Sequence, residues 1–137
     1  MKKIVHNGKI LAIIIKQNYS SEGISFFTPG DFSQQLGYMN RPAGYKIKPH
    51  IHNPVLREVV YTQEVLFIKS GKVRVDFYDE RKVYLESNLL LKGDIILLAS
   101  GGHGFEMIED SEIFEVKQGP YCDEKDKERF EGKDVKN

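Results

Sequence analysis

The feature that most constrains this sequence is a succession of short apolar or alternating runs, separated by turn residues at near-regular intervals. The runs at 9–16, 23–28 and 95–100 are rich in β-branched or large apolar residues, which favours strands. No stretch shows the periodicity of a good amphipathic helix. The pattern predicts an all-β chain of about eight to ten short antiparallel strands, arranged as a sandwich or barrel.

The middle of the chain carries the clearest pair of strands. Glu64–Ser70 and Lys72–Tyr78 meet at Ser70-Gly71, and this glycine predicts a hairpin between them. In the second run, apolar residues alternate with polar ones, which predicts one packed face and one polar face. A shorter pattern predicts a further strand at 36–39.

Residues 10–15 are apolar at both parities of a strand, so both faces of this strand are predicted to be covered. In a domain of this size, another subunit can supply the second cover. A symmetric homodimer is therefore the expected assembly.

Composition restricts the class of partner and the compartment. The 137 residues suffice for one domain, predicted to span 1–119 and to be followed by a charged tail at 120–137. Twenty basic and 20 acidic residues give no net charge, which argues against nucleic acid or an anionic membrane as partner. No run has membrane-spanning length, and the N-terminal apolar run lacks signal-peptide features, so a cytoplasmic location is expected. The single Cys122 is expected to be a free thiol.

Two histidines separated by one residue are the first candidates for chemistry. If 45–52 is a strand, its period of two places His50 and His52 on one face. Glu64 shares the parity of the apolar residues in its own run and would face the core, where a carboxylate needs a partner such as a cation. His103, after an apolar run and two glycines, is a fourth donor. Imidazole and carboxylate together suit Zn, Fe, Ni, Cu or Mn better than Mg or Ca.

These residues are similar to the first motif of the cupin superfamily, which runs Gly, five residues, His-x-His, a short gap, Glu, six residues, Gly. The matching positions are Gly44, His50, His52, Glu64 and Gly71. The gap here is 53–63, eleven residues where the family usually has three or four. Glu58 is the nearer acid, but no glycine follows it at the family's spacing, so Glu64 is the better match.

A second cupin motif is kept in part. Gly93, Gly101 and His103 are present, whereas Ala99 stands where the family has a proline and the final asparagine is missing. The resemblance covers about residues 40–117. It implies a double-stranded jelly-roll barrel with four metal ligands at one mouth, namely His50, His52, Glu64 and His103.

The resemblance also implies an enzyme that uses a divalent transition metal, Zn, Fe, Ni or Mn, as a Lewis acid. The expected substrate is small and carbohydrate-like or anionic, and the expected reaction is an isomerisation, an epimerisation or an oxygen-dependent oxidation. Glu58 and Tyr61 are candidates for proton transfer. Candidate substrate contacts at the barrel mouth are Tyr38, Arg41, Lys48 and Arg57. The alternative function is a non-catalytic module that holds a metal or small ligand in the same pocket.

Overall fold

The structure is a computed structural model that describes residues 1–123 and 125–133. Within those ranges the chain is all-β, with ten strands and no helix, and every sheet is antiparallel. The described residues therefore also contain no helix able to cross a bilayer. The strands are β1 (Lys2–His6), β2 (Lys9–Ile15), β3 (Gly23–Phe26), β4 (Gly37–Asn40), β5 (Glu64–Ser70), β6 (Lys72–Tyr78), β7 (Tyr84–Leu91), β8 (Ile95–Leu98), β9 (Gly102–Met107) and β10 (Glu112–Lys117).

The strands form three sheets. A large sheet has the order β1-β2-β8-β5-β10, a small sheet has the order β7-β6-β9, and β3 pairs with β4. The large and small sheets pack against each other over one apolar core. Val73, Val75 and Phe77 face this core, so the packed face predicted for β6 is confirmed. The opposite face carries Arg74, Asp76 and Tyr78, but Asp76 and Tyr78 are also buried.

The predicted hairpin at Ser70-Gly71 is wrong, although both strands lie where the sequence places them. β5 pairs with β8 and β10, whereas β6 pairs with β7 and β9, so the two strands belong to different sheets. Gly71 has a φ of +89°, and a Cβ at this position would clash with the carbonyl oxygen of Asp110. The glycine thus lets the chain cross between sheets where the turn before β10 passes closely.

Both faces of β2 are buried, as its apolar pattern predicted, but the second cover comes from the same chain. Ala12 and Ile14 belong to the main core. Ile13 and Ile15 belong to a second apolar cluster, which includes aromatic and leucine side chains from the segment 19–36. The pattern of β2 therefore does not require a second subunit.

Strand β1 was not predicted from the sequence, although a turn signal precedes β2. Asn7 and Gly8 have positive φ angles of 49° and 76°, the backbone conformation of a two-residue hairpin turn. β1 pairs with β2 across this turn, and Ile4 is buried in the main core. An Asn-Gly pair next to an isoleucine-rich strand was the available signal.

The predicted strand at 45–52 is wrong in this structure, because the segment has no partner strand. The structure describes all of 41–63 and finds no strand there, and every residue from 41 to 61 is exposed. Residues 46–58 make no hydrogen bond, ion pair or ring contact with described residues outside 41–61. We refer to residues 41–61 as the exposed segment.

The described part of the charged tail lies against the small sheet. The ring of Phe130 packs edge to face on Tyr78, with centroids 5.1 Å apart. The backbone N–H of Lys133 donates to the Tyr78 hydroxyl at 3.1 Å. Cys122 is a free, exposed thiol, as expected. Residues 124 and 134–137 of the predicted tail lie outside the described residues.

Candidate functional site

A cleft of about 1940 Å³ opens beside the edge of β9. Consecutive residues from Gly102 to Glu106 line it. Because successive side chains of a strand point to opposite faces, a cavity lined by such a run lies at the edge of the strand. β9 pairs with β6 on one side and has no strand on the other among the described residues. Across the cleft, the edge strand β10 contributes Ile113 and Glu115.

Glu64 and His103 meet in this cleft from opposite sheets. Glu64 is the first residue of β5 and shares the inward parity of Leu66 and Ile68, as predicted. His103 lies opposite the buried Phe77 in the pairing of β9 with β6, so it also faces inward. The Glu64 Oε2 and His103 Nε2 atoms are 3.6 Å apart. The sequence-based requirement that the Glu64 carboxylate find a partner is met by His103.

The electrostatics of this pair favour an ionised carboxylate. Glu64 is only 8% exposed. Interaction with the His103 side chain lowers the pKa of the Glu64 carboxyl, and this outweighs burial, which raises it. The positive charges of Lys127 and Lys117 lower the pKa of Glu64 further. A carboxylate held charged next to an imidazole is suited to binding a cation or exchanging a proton.

His50 and His52 form a second pair at a different place. Their rings lie 5.2 Å apart in the exposed segment, and His50 Nδ1 is 3.0 Å from the carbonyl oxygen of Lys48. Neither histidine lines the cleft. In the part of the chain that the structure describes, no group of three or more His, Cys, Asp or Glu side chains is placed to hold a metal. The donor types suit a transition metal, but their positions form two separate pairs.

The remaining predicted residues are placed mostly outside the cleft. Tyr61 lines it. Tyr38 instead packs edge to face on Tyr19, with ring centroids 5.0 Å apart, and the Arg41 guanidinium lies 4.6 Å from the centroid of the Tyr45 ring. The others are exposed and do not line the cleft, namely Lys48, Arg57 and Glu58.

A buried acid that the sequence did not single out also lines the cleft. Asp76 is 5% exposed and accepts two hydrogen bonds from the Arg74 guanidinium, at 2.9 and 3.0 Å, and one from the Ser87 hydroxyl. Burial raises the pKa of Asp76, but the hydrogen bonds from Arg74 and Ser87 outweigh it and the pKa is lowered. The sequence signal for this residue was an aspartate within an alternating strand. The hydrogen bonds from Arg74 and Ser87 satisfy the Asp76 carboxylate, so Asp76 forms a structural ion pair with Arg74.

The cleft as a whole is more acidic than basic. Of the charged side chains among its described lining residues, nine are acidic and six are basic. The cleft therefore attracts cationic groups more readily than anionic ones.

No family model, no curated protein and no solved structure matches this chain.

Proposed function

We propose that this chain is a metal-binding protein of the cupin type, with a site built on Glu64 and His103. The observation that supports this function is the convergence of these two side chains from opposite sheets in an open cleft. A carboxylate and an imidazole are common ligands of divalent transition metals. The proposed metal is Zn, Fe, Ni or Mn.

Completion of the site requires the two histidines of the exposed segment. His50 and His52 would join Glu64 and His103 if residues 45–52 became a strand at the free edge of β9. The same step would extend the small sheet toward the jelly-roll barrel that the sequence resemblance implies. The proposed fold and the proposed ligand set therefore both depend on the pairing of a strand at 45–52 with β9.

The proposed activity is that of an enzyme acting on a small carbohydrate-like or anionic substrate, of which the acidic lining of the cleft favours the carbohydrate-like one. The metal, when bound, would supply a Lewis acid that polarises a carbonyl or hydroxyl oxygen. Tyr61 is the proton-transfer candidate that lines the cleft. Isomerase, epimerase and oxygenase chemistry all fit this donor set.

A non-catalytic binding module is the second candidate. It is favoured by the placement of the predicted catalytic and substrate-binding residues, of which Tyr61 alone lines the described cleft. In this case the cleft would hold a metal or a small ligand without turnover.

Metal titration of stripped protein tests the site. Zn, Fe, Ni and Mn are added singly, and bound metal and thermal stability are measured for the wild type, Glu64→Gln and His103→Gln. At a free metal concentration of about 100 Kd, binding should stabilise the wild type by about 2.7 kcal/mol. The control is His6→Gln, because His6 lies on β1 and does not line the cleft.

The two site variants should lose metal binding while the control keeps it. Equal metal content and equal stabilisation in all four proteins would refute the proposed site. Loaded wild type is then screened against sugar phosphates, sugar nucleotides and small thiols. Product formation supports the enzyme, whereas stabilisation by a ligand without product supports the binding module.

A further inference from the structure

The exposed segment has a strand pattern without a strand partner. Between 45 and 51, Tyr45, Ile47 and Ile51 alternate with charged or imidazole side chains, apart from Pro49. These apolar residues are 52%, 58% and 85% exposed. Further along, Leu56 is fully exposed. A contiguous series of exposed apolar side chains on one segment marks an interaction surface.

The edge of β9 that faces the cleft lacks a partner strand. Its six residues, GHGFEM, leave one row of backbone N–H and C=O groups without a partner strand among the described residues. Protected edge strands commonly carry lysine, proline or a bulge, and β9 has no lysine or proline and keeps a regular register with β6. The eight residues at 45–52 are long enough to cover all six residues of β9.

Charge also favours this pairing. The exposed segment has four basic side chains and one acidic side chain. The lining of the cleft beside β9 has the opposite balance, with nine acidic and six basic side chains among its described residues. Complementary charge of this kind steers association and selects the partner.

In this structure the exposed segment lies apart from the β9 edge of its own chain. Residues 46–58 make no hydrogen bond, ion pair or ring contact with the described body of their own chain, and His50 and His52 do not line its cleft. The described tail packs through Phe130 on Tyr78 of β6 and beside Gly102 at the start of β9, and it does not pair with β9 as a strand.

We infer that residues 45–52 of a second copy of this chain add as a strand to the free edge of β9. Main-chain hydrogen bonds would supply the affinity, and Lys46 and Lys48, which share the parity of His50 and His52, would face the acidic cleft. A reciprocal exchange between two copies gives a symmetric dimer in which both β9 edges and both 45–52 strands are paired. The strand exchange goes beyond the proposed function. One consequence rests on it, namely that His50 and His52 of the partner subunit join Glu64 and His103.

Cross-linking between two differently tagged chains tests the exchange. Both chains carry Cys122→Ser; one carries Ile51→Cys and the other Met107→Cys, and they are co-expressed and treated with a bis-maleimide in the presence of a chelator. The control replaces Met107→Cys with Leu89→Cys, on β7 at the opposite edge of the same sheet. Met107 and Leu89 are similarly exposed, at 49% and 51%, so exposure to the reagent does not favour either position.

The expected product is a cross-linked pair carrying both tags, formed with Met107→Cys and several-fold less with Leu89→Cys. Equal yields at the two edges would overturn the inference. A single chain carrying Ile51→Cys and Met107→Cys that cross-links only within a monomer would show pairing within one chain and would also overturn it. So would a monomer mass by light scattering at the concentration used for cross-linking.

Metal binding in a mixed dimer separates this inference from the proposed function. A chain with His50→Ala and His52→Ala is co-expressed with a chain carrying Glu64→Gln. Exchange gives the mixed dimer one complete ligand set, so it should bind about half the metal of the wild type, whereas each variant alone binds none. Cross-linking without any metal binding, in wild type as well, leaves the exchange standing and refutes the proposed function.

Discussion

The contact between Glu64 and His103 should be measurable as a coupling free energy. Glu64→Gln and His103→Gln each remove one titratable partner while keeping a polar side chain of similar size. The double variant removes both. The difference between the effect of the double variant and the sum of the single effects isolates the pair.

The expected size of this coupling follows from distance and burial. The Oε2 and Nε2 atoms are 3.6 Å apart, and two unit charges at this distance attract by about 5 kcal/mol at an effective dielectric constant of about 20, which is the upper limit for this pair. The His103 side chain is 30% exposed, so water screens part of this attraction, and desolvation of Glu64 opposes the rest. We expect a coupling of about 1–2 kcal/mol at neutral pH.

Acid should remove this contribution. The pKa of Glu64 is lowered by the fold, so the ionised carboxylate stabilises the fold above the ordinary value of 4.5, and this contribution is lost as the pH falls through the lowered pKa. Urea denaturation of the four proteins at neutral pH and through the acid range gives the coupling at each pH. Mutations at independent sites add to within about 0.5 kcal/mol, so a neutral-pH coupling below this value would refute the reasoning. A coupling that persists below the lowered pKa of Glu64 would refute it as well.

Three further predictions concern stability in urea. Phe130→Ala should destabilise by about 1–2 kcal/mol because the ring packs on an aromatic side chain of β6, whereas the exposed Tyr121→Ala should change stability by less than about 0.5 kcal/mol. Gly71→Ala should destabilise more than Gly44→Ala, because both have positive φ but only Gly71 has atoms where a Cβ would lie. Asp94→Ala should cost about 3 kcal/mol, since this 2% exposed carboxylate accepts hydrogen bonds from two backbone N–H groups and one lysine. Equal losses of stability for the Phe130 and Tyr121 variants, or for the two glycine variants, would contradict these assignments. An Asp94→Ala variant as stable as the wild type would do so as well.

Strand positions were predictable because side-chain periodicity is a local property. β5 and β6 begin and end where the alternation of the sequence placed them. Their partners were not predictable, because pairing depends on contacts distant along the chain. Ser70-Gly71 has the composition of a hairpin turn, yet the close passage of Asp110 makes this glycine a crossing between sheets.

The candidate site, like the fold, was predictable from the sequence only in part. The inward direction of Glu64 follows from its parity with the apolar residues of β5, and this much was available from the sequence. That His103 would face Glu64 depended on the packing of the small sheet on the large one. The two histidines at 50 and 52 had the right spacing, but spacing fixes a common face only when a partner strand holds the backbone extended.

The exposed segment also has the residues of a strand that ends a sheet. Lys46, Lys48 and Pro49 are the residue types that natural proteins use to prevent further pairing at an edge. In the exposed segment there is no sheet edge for these residues to protect. On the edge of β9 they would close a small sheet whose present edge lacks both lysine and proline. One edge of the added strand would thus pair with β9, and its lysines and proline would prevent pairing at the other edge. This arrangement favours a closed dimer over an open chain of exchanged copies.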